Sequence, residues 1–399
     1  MGVRAWMAVV GGFSAQMCSF GYTNVIGIFQ TYYTENQLHD LTPSTIAWIG
    51  STQTFILSFG GLICGRIHDA YGPRYLTVPG AVMLIAGSVG TAFSTEYWQF
   101  MLSQGILTAL GASCLFYATT SSVSRWFDVK RGLALGIAAS GSSIGGIILP
   151  MVFNYVVAVS SYKVAVLAMS AVLGFFAIIT ALTTTSRMPP ERNSSYQFVR
   201  FYVKPFAEPS FGTLAIGFFF VFLGIFVPFG FVASQAVQNG FTDADAFFLL
   251  AYMNGGSFFG RVITGWLADR VGKYNMYISS ALVAGIITIA LWIPAHTVPT
   301  IVLYSVLYGY FSGAVLGMYP AVVAQISPND EIGTRIGAIS SFMSFASLSG
   351  LPIAGAVLTT GGGSFFAPSM FAGVSMLVGT GFVVVSKYIY SEGRLSSKI

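Results

Sequence analysis

Charge is what this chain has least of. Only 8% of its 399 residues are Asp, Glu, Lys or Arg, against about 25% in a soluble domain. With 18 basic and 13 acidic side chains, it cannot clothe a water-soluble globule of this length, and that class is excluded. Cysteine is equally sparse. Cys18, Cys64 and Cys114 stand in apolar stretches with no CxxC spacing and no neighbouring His, so they read as small core residues rather than a disulfide framework or metal site. The three histidines are assigned to loops, His39 and His296 on one side of the chain's spans and His68 on the other. No HExxH, no Ser-His-Asp set and no paired core carboxylates occur, which leaves an enzyme little to work with. The glycine run at Gly361 lacks a following GK[ST] and cannot cradle phosphate, so no cofactor is implied. Alternating ten-residue strand patterns are also missing, which excludes a membrane barrel.

Hydrophobic residues, in contrast, make up 55% of the chain. A bilayer core of about 30 Å needs roughly 20 apolar helical residues per crossing. Charge-free intervals supply seven such spans up to Asp243 and an eighth from Asp245 to Asp269, interrupted only by Arg261. Two double-length intervals follow, one hinged at Pro294 and Pro299 and the other at Gly361–Gly363. The reading is an all-α polytopic membrane protein with twelve transmembrane helices. If the amino terminus is cytoplasmic, sixteen basic residues fall on the inner side and only Lys163 outside. This positive-inside bias sets both termini in the cytoplasm and explains the net charge of +5 without a nucleic-acid partner. The sequon at Asn193 lies on the inner side and is expected to be unused.

The longest polar run, residues 183–208, falls at the middle of the chain. It reads as a cytoplasmic central linker between a six-helix bundle at 1–182 and another at 209–399. Phe198, Phe201, Tyr202 and Phe206 mixed with Arg200 and Lys204 suggest either an amphipathic surface stretch or an unstructured connection. The two halves repeat at an offset of 200. GRIHDAYGPR at 65–74 aligns with GWLADRVGKY at 265–274, matching Gly65, Asp69 and Gly72 to Gly265, Asp269 and Gly272. Duplicated six-helix halves are the architecture of alternating-access carriers, which bind their cargo near the membrane midplane.

These two segments resemble the G-x-x-x-D-R-x-G-R/K signature of the major facilitator superfamily, with Ala70 replacing the usual Arg in the first copy. SFGYTNVIGIFQTYY in span one, PSTIAWIGS entering span two, WFDVKRGLALGIAASGSSIGG entering span five and NGGSFFGR in span eight are similar to fungal members of the monocarboxylate-transporter-like family. The acidic residue and long inner tail that usually precede the first span there fall outside the sequence, as expected of either a trimmed chain or a short natural form. The resemblance implies that Asp69 and Asp269 clasp the inner side when the carrier opens outward. Asp69 would face the start of span eleven near Gly333, and Asp269 that of span five near Lys130. Arg125 is a candidate partner for Asp69, and Arg74 and Arg270 are the motif's basic members. The alternative is that these are solvated loop charges that hold topology.

Arg261 is the most informative single residue. An Arg at the centre of a membrane helix costs about 2.5–3.5 kcal/mol on insertion scales. Asn254, Ser257, Arg261 and Gly265 share one helical face, which should turn to the protein interior. In related carriers an Arg at this place binds the substrate carboxylate; the competing reading is a structural charge that snorkels to the inner surface. Asn24 and Ser257 replace the Lys and Asp that monocarboxylate carriers use, so proton–lactate symport in that form does not carry over. Tyr117 and Tyr319 are softer candidates, suited to an aromatic or amphipathic solute. The expected function is transport of a small organic anion or weakly acidic metabolite by a monomer in the plasma membrane. A neutral solute such as a vitamin or secondary metabolite, and a nutrient sensor that does not translocate, are the alternatives.

Overall fold

A computed structural model of the chain describes residues 2–187, 202–394 and 398. The sequon at Asn193 and the aromatic–basic residues Phe198, Arg200 and Phe201 lie outside the described residues. Among the described residues seventeen α-helices follow in order: α1 Val3–Gln16, α2 Ile26–Glu35, α3 Pro43–Phe59, α4 Gly61–Tyr71, α5 Arg74–Phe93, α6 Tyr97–Phe100, α7 Ala109–Trp126, α8 Arg131–Val159 and α9 Tyr162–Thr183 in the first part. The second part holds α10 Lys204–Ala207, α11 Pro209–Ile225, α12 Val227–Gln238, α13 Asp243–Val271, α14 Lys273–Ile287, α15 Val298–Gln325, α16 Ile332–Thr360 and α17 Phe366–Tyr390. Among the described residues, wider π-helical turns follow α1 at Met17–Gly21 and α14 at Thr288–Trp292, and one at Met101–Thr108 joins α6 to α7. Among the described residues, ten continuous helical stretches are long and apolar enough to cross a membrane. The first apolar segment, where α1 and α2 are separated by a break around Asn24, is not among them, and neither is α13.

Two compact units make up the structure. The first comprises Met1–Asp128, Gly141–Tyr196 and Pro328–Ser341. Its core is aromatic: Phe29 stacks on Tyr33 at 5.7 Å and meets Phe153 edge-on at 5.1 Å. A buried polar chain runs through it. Tyr33 donates to Gln104 Oε1 at 2.7 Å, Gln104 donates to Gln53 Oε1 at 3.1 Å, and the Tyr33 and Tyr162 hydroxyls lie 3.2 Å apart. Low dielectric makes such bonds strong and their loss costly, so the chain fixes one packing of these helices.

The second unit comprises Val129–Ser140, Gln197–Ser327 and Phe342–Ile399. Its tightest seam joins α13 to α15 and is built from glycine on both sides. A Cβ at Gly309 or Gly313 would collide with Met253 or Ser257, and one at Gly256 or Gly260 would strike the carbonyls of Val306 or Tyr310. Small residues let membrane helices pack backbone against backbone, where lipid offers no hydrophobic drive. The π-stack of Trp292, Tyr304 and Tyr308 fills the space beside it, with Tyr308 donating to the carbonyl of Ile225 at 2.7 Å.

Candidate functional site: two helix-capping carboxylates and a buried arginine

Asp69 and Asp269 do not sit in loops. Each stands in the last turn of a helix, α4 or α13, that a glycine then stops. Gly72 at φ +87° and Gly272 at φ +112° take left-handed conformations that a side chain would resist. The connections that follow are therefore only one or two residues long, and the carboxylates are held on rigid helix ends.

In the first unit, Asp69 gathers four donors. Its Oδ1 accepts from Arg125 Nη2 at 2.6 Å and lies 3.1 Å from His68 Nδ1. Its Oδ2 accepts from the backbone N–H of Thr334 at 2.6 Å and from the Thr334 hydroxyl at 2.7 Å. Thr334 is the third residue of α16, so the carboxylate caps the positive end of that helix. Arg125 also donates to the Asp330 carbonyl at 2.8 Å. The whole cluster is dry: the Arg125 and Asp69 side chains are 3% and 1% exposed. Gly65 permits the approach, since a Cβ there would meet the carbonyl of Gly333.

His68 corrects the sequence reading. It was expected in a loop, yet it is fully buried in α4, bonded to Asp69 on one ring nitrogen and 3.1 Å from Ser122 Oγ on the other. Because a carboxylate only accepts, the nitrogen facing Asp69 carries hydrogen. The corresponding residue 200 positions on is Ala268, so this part of the cluster has no counterpart in the second copy.

In the second unit, Asp269 accepts from the N–H groups of Gly132 at 2.8 Å and Leu133 at 2.9 Å, the second and third residues of α8. Gly132 and Gly265 are in backbone contact there. The two motif basic residues lie apart from these bonds. Arg74 is exposed at the start of α5. Arg270 is exposed as well, its guanidinium stacked 3.9 Å over the Trp266 ring.

Arg261 is buried, at 7% exposure, within α13. Its Nη1 donates to the carbonyl of Ala139 in α8 at 2.5 Å. Gly317 of α15 lies against its aliphatic stem. Ser257 and Asn254 follow on the same buried face; Ser257 packs on Gly313, and Asn254 donates to its own helix at Leu250. Tyr319, also in this unit, has edge-on contacts with Phe218 and Phe222. Asn24 and Tyr117 belong to the first unit. Asn24 is half-buried and donates to the Phe20 carbonyl at 2.8 Å; Tyr117 donates to the Ser58 carbonyl at 2.8 Å. Chemically, the two carboxylates cap helix N-termini, and the other described groups make hydrogen bonds to backbone or pack against neighbouring helices. Among the described residues no three His, Cys, Asp or Glu cluster to hold a metal.

Comparison with known proteins adds a lineage to this geometry. The family model described as Major Facilitator Superfamily matches residues 11–297 and 214–398. The chain is 38% identical over 397 residues to "MFS transporter asaE" of Aspergillus flavus, covering 100% of this chain and 90% of that protein. It is 34% identical to the "Fujikurins efflux protein" of Gibberella fujikuroi, with 99% and 84% covered, and 36% identical to the "Aspyridones efflux protein apdF" of Emericella nidulans, with 98% and 80% covered. Among solved structures, the human organic anion transporter MFSD10 superposes with a TM-score of 0.76 at 15% identity, covering 96% of this chain and 100% of that one. The same fold recurs in the Escherichia coli fucose:proton symporter at a TM-score of 0.73 and 15% identity, with 95% and 98% covered. These relatives are transporters, not enzymes.

Proposed function

The chain belongs to the major facilitator superfamily, and on that premise we propose a secondary transporter of the fungal monocarboxylate-transporter-like type that exports a small organic anion or weakly acidic metabolite by alternating access. Twelve spans complete it: the first runs through α1 and α2, and α13 is the eighth. Residues 1–182 and 209–399 form the six-helix halves, joined by the cytoplasmic linker 183–208. The carrier works as a monomer in the plasma membrane with both termini in the cytoplasm.

The observation that carries the cargo chemistry is the burial of Arg261 within α13, read here as the eighth span. Arg stays protonated at any relevant pH, and its Nη1 donates to the Ala139 carbonyl. An anionic cargo offsets the cost of that charge. Asn24, Asn254 and Ser257 set the polarity around the cargo, while Tyr117 and Tyr319 offer aromatic faces. Asp69, Arg125 and Asp269 gate the inner side, with Arg74 and Arg270 as the motif's outlying charges. Export is favoured because two of the relatives are named as efflux proteins for particular metabolites.

The same Ala139 bond, with Gly317 packed on the arginine stem, favours a second reading in which Arg261 ties α13 to α8 and α15 and the cargo is neutral. Uptake into proteoliposomes, competed by a panel of carboxylates and neutral metabolites at two pH values, separates the two. Competition by carboxylates that disappears in Arg261→Gln supports the anion reading. Competition by neutral solutes alone, unchanged in that variant, refutes it. Binding without any uptake would make the protein a sensor.

A further inference from the structure

The seam between α4 and α7 is closed by a series of side-by-side contacts. Gly60 lies against Ser113 and Gly61 against the Tyr117 ring. Further along, His68 meets Ser122 and Asp69 meets Arg125. Between these contacts, Cys64 Sγ stands 3.6 Å from Cys114 Sγ, with Ser113 Oγ 3.9 Å away. Both thiols are buried and unlinked. No sequence spacing announces the pair, because 50 residues separate its members.

We propose that Cys64 and Cys114 form an oxidisable dithiol, a modification site that a membrane-permeant two-electron thiol oxidant closes into a disulfide stapling α4 to α7. The sulfurs need to approach by only about 1.5 Å to reach a bond of ~2.05 Å. Cys114 is backed by α5, where Gly80 leaves room for its Cβ. With an azodicarboxamide the step balances. One thiol adds across the N=N bond, and the second sulfur then attacks the first. The S–S bond forms, the S–N bond breaks, both thiol protons finish on nitrogen, and the azo group leaves as the two-electron-reduced hydrazine.

The staple would act on the Asp69 cluster. Asp69 follows Cys64 by five residues, about 7.5 Å along a helix, and its partner Arg125 is carried by the same α7 as Cys114. Holding α4 on α7 holds the two partners of the ion pair at their bonding distance. This consequence rests on the gating role proposed for Asp69, whereas formation of the disulfide does not.

Cys18 provides an internal control, since it is buried elsewhere and its thiol donates to the Leu173 carbonyl at 3.4 Å. The test treats the full chain in its membrane with diamide, denatures it in detergent and counts remaining thiols with maleimide–polyethylene glycol. Wild type should fall from three labels to one and recover all three with dithiothreitol. Cys64→Ser and Cys114→Ser should each keep two labels throughout. Three labels surviving in wild type, or loss of thiols into cross-linked dimers, would overturn the dithiol. Hydrogen–deuterium exchange then reads the effect: residues 61–71 and 109–126 should exchange more slowly in the oxidised protein. Unchanged exchange with the disulfide formed would overturn the staple while leaving the transport reading intact.

Discussion

Replacing Asp69 with Asn tests whether the buried cluster is held by charge or only by shape. Asn is nearly isosteric, so the cavity does not change. What changes is that a single carbonyl oxygen replaces two charged acceptors that serve Arg125, His68 and both donors of Thr334. Whichever way the amide is turned, its NH2 faces groups that are themselves donors. In either orientation the guanidinium loses its anion; with the NH2 on Thr334 the N-terminus of α16 also loses its cap, and with the NH2 on Arg125 the guanidinium faces a second donor. Solvent cannot repair either loss, because the two charged side chains are 3% and 1% exposed. Removing one partner of a buried ion pair typically costs about 3–5 kcal/mol, whereas an exposed pair is worth roughly 0–1. We therefore expect Asp69→Asn to lower stability by about 3–5 kcal/mol in dodecyl-sulfate unfolding from mixed micelles, followed by circular dichroism. The double variant Asp69→Asn/Arg125→Gln should lose less than the sum of its two single variants, since the second change removes the stranded charge. A loss below about 1 kcal/mol in Asp69→Asn, the range of an exposed pair, would refute the reasoning.

The remaining predictions follow from the same geometry. Asp269→Asn gives up charge-assisted bonds to two N–H groups but keeps one acceptor, so it should cost less than Asp69→Asn, about 1–2 kcal/mol in the same unfolding assay. It should also slow net transport more than it weakens equilibrium cargo binding; equal effects on both would remove its gating role. Arg261→Gln should abolish carboxylate-competed uptake while leaving the protein folded by circular dichroism. Gly260→Ala should destabilise by about 1–3 kcal/mol, since the added methyl drives into the Tyr310 carbonyl; wild-type stability there would mean the α13–α15 seam is looser than described. Tyr33→Phe removes the hydroxyl that Gln104 receives and that lies beside Tyr162, and should cost about 1–3 kcal/mol, read as an earlier unfolding midpoint.

The two carboxylate sites were visible in the sequence because their residues are few, charged and repeated at one offset. Gly65, Asp69 and Gly72 recur at Gly265, Asp269 and Gly272 in a chain where any charge is rare. What a charge count hides is where the helix stops. Counting spans from one charged residue to the next ends the second span at Arg66 and consigns His68 to a loop, yet the i→i−4 ladder continues until Gly72 accepts a positive φ. That glycine was present as a stop signal. Reading it as the helix end instead of as part of a loop motif puts His68 and Asp69 in the last turn. Distance in sequence hides the rest. Neither the Cys64–Cys114 contact nor the Ser122–His68 bond has any local period, since each is set by how α4 lies on α7. Arg261 shows both sides of this. Its unfavourable burial can be read from composition alone, but the Ala139 carbonyl that receives its hydrogen bond lies 122 residues away. A buried cation in the middle of an apolar stretch announces that it must be answered by something; only the packing of α13 on α8 says that part of the answer is the backbone.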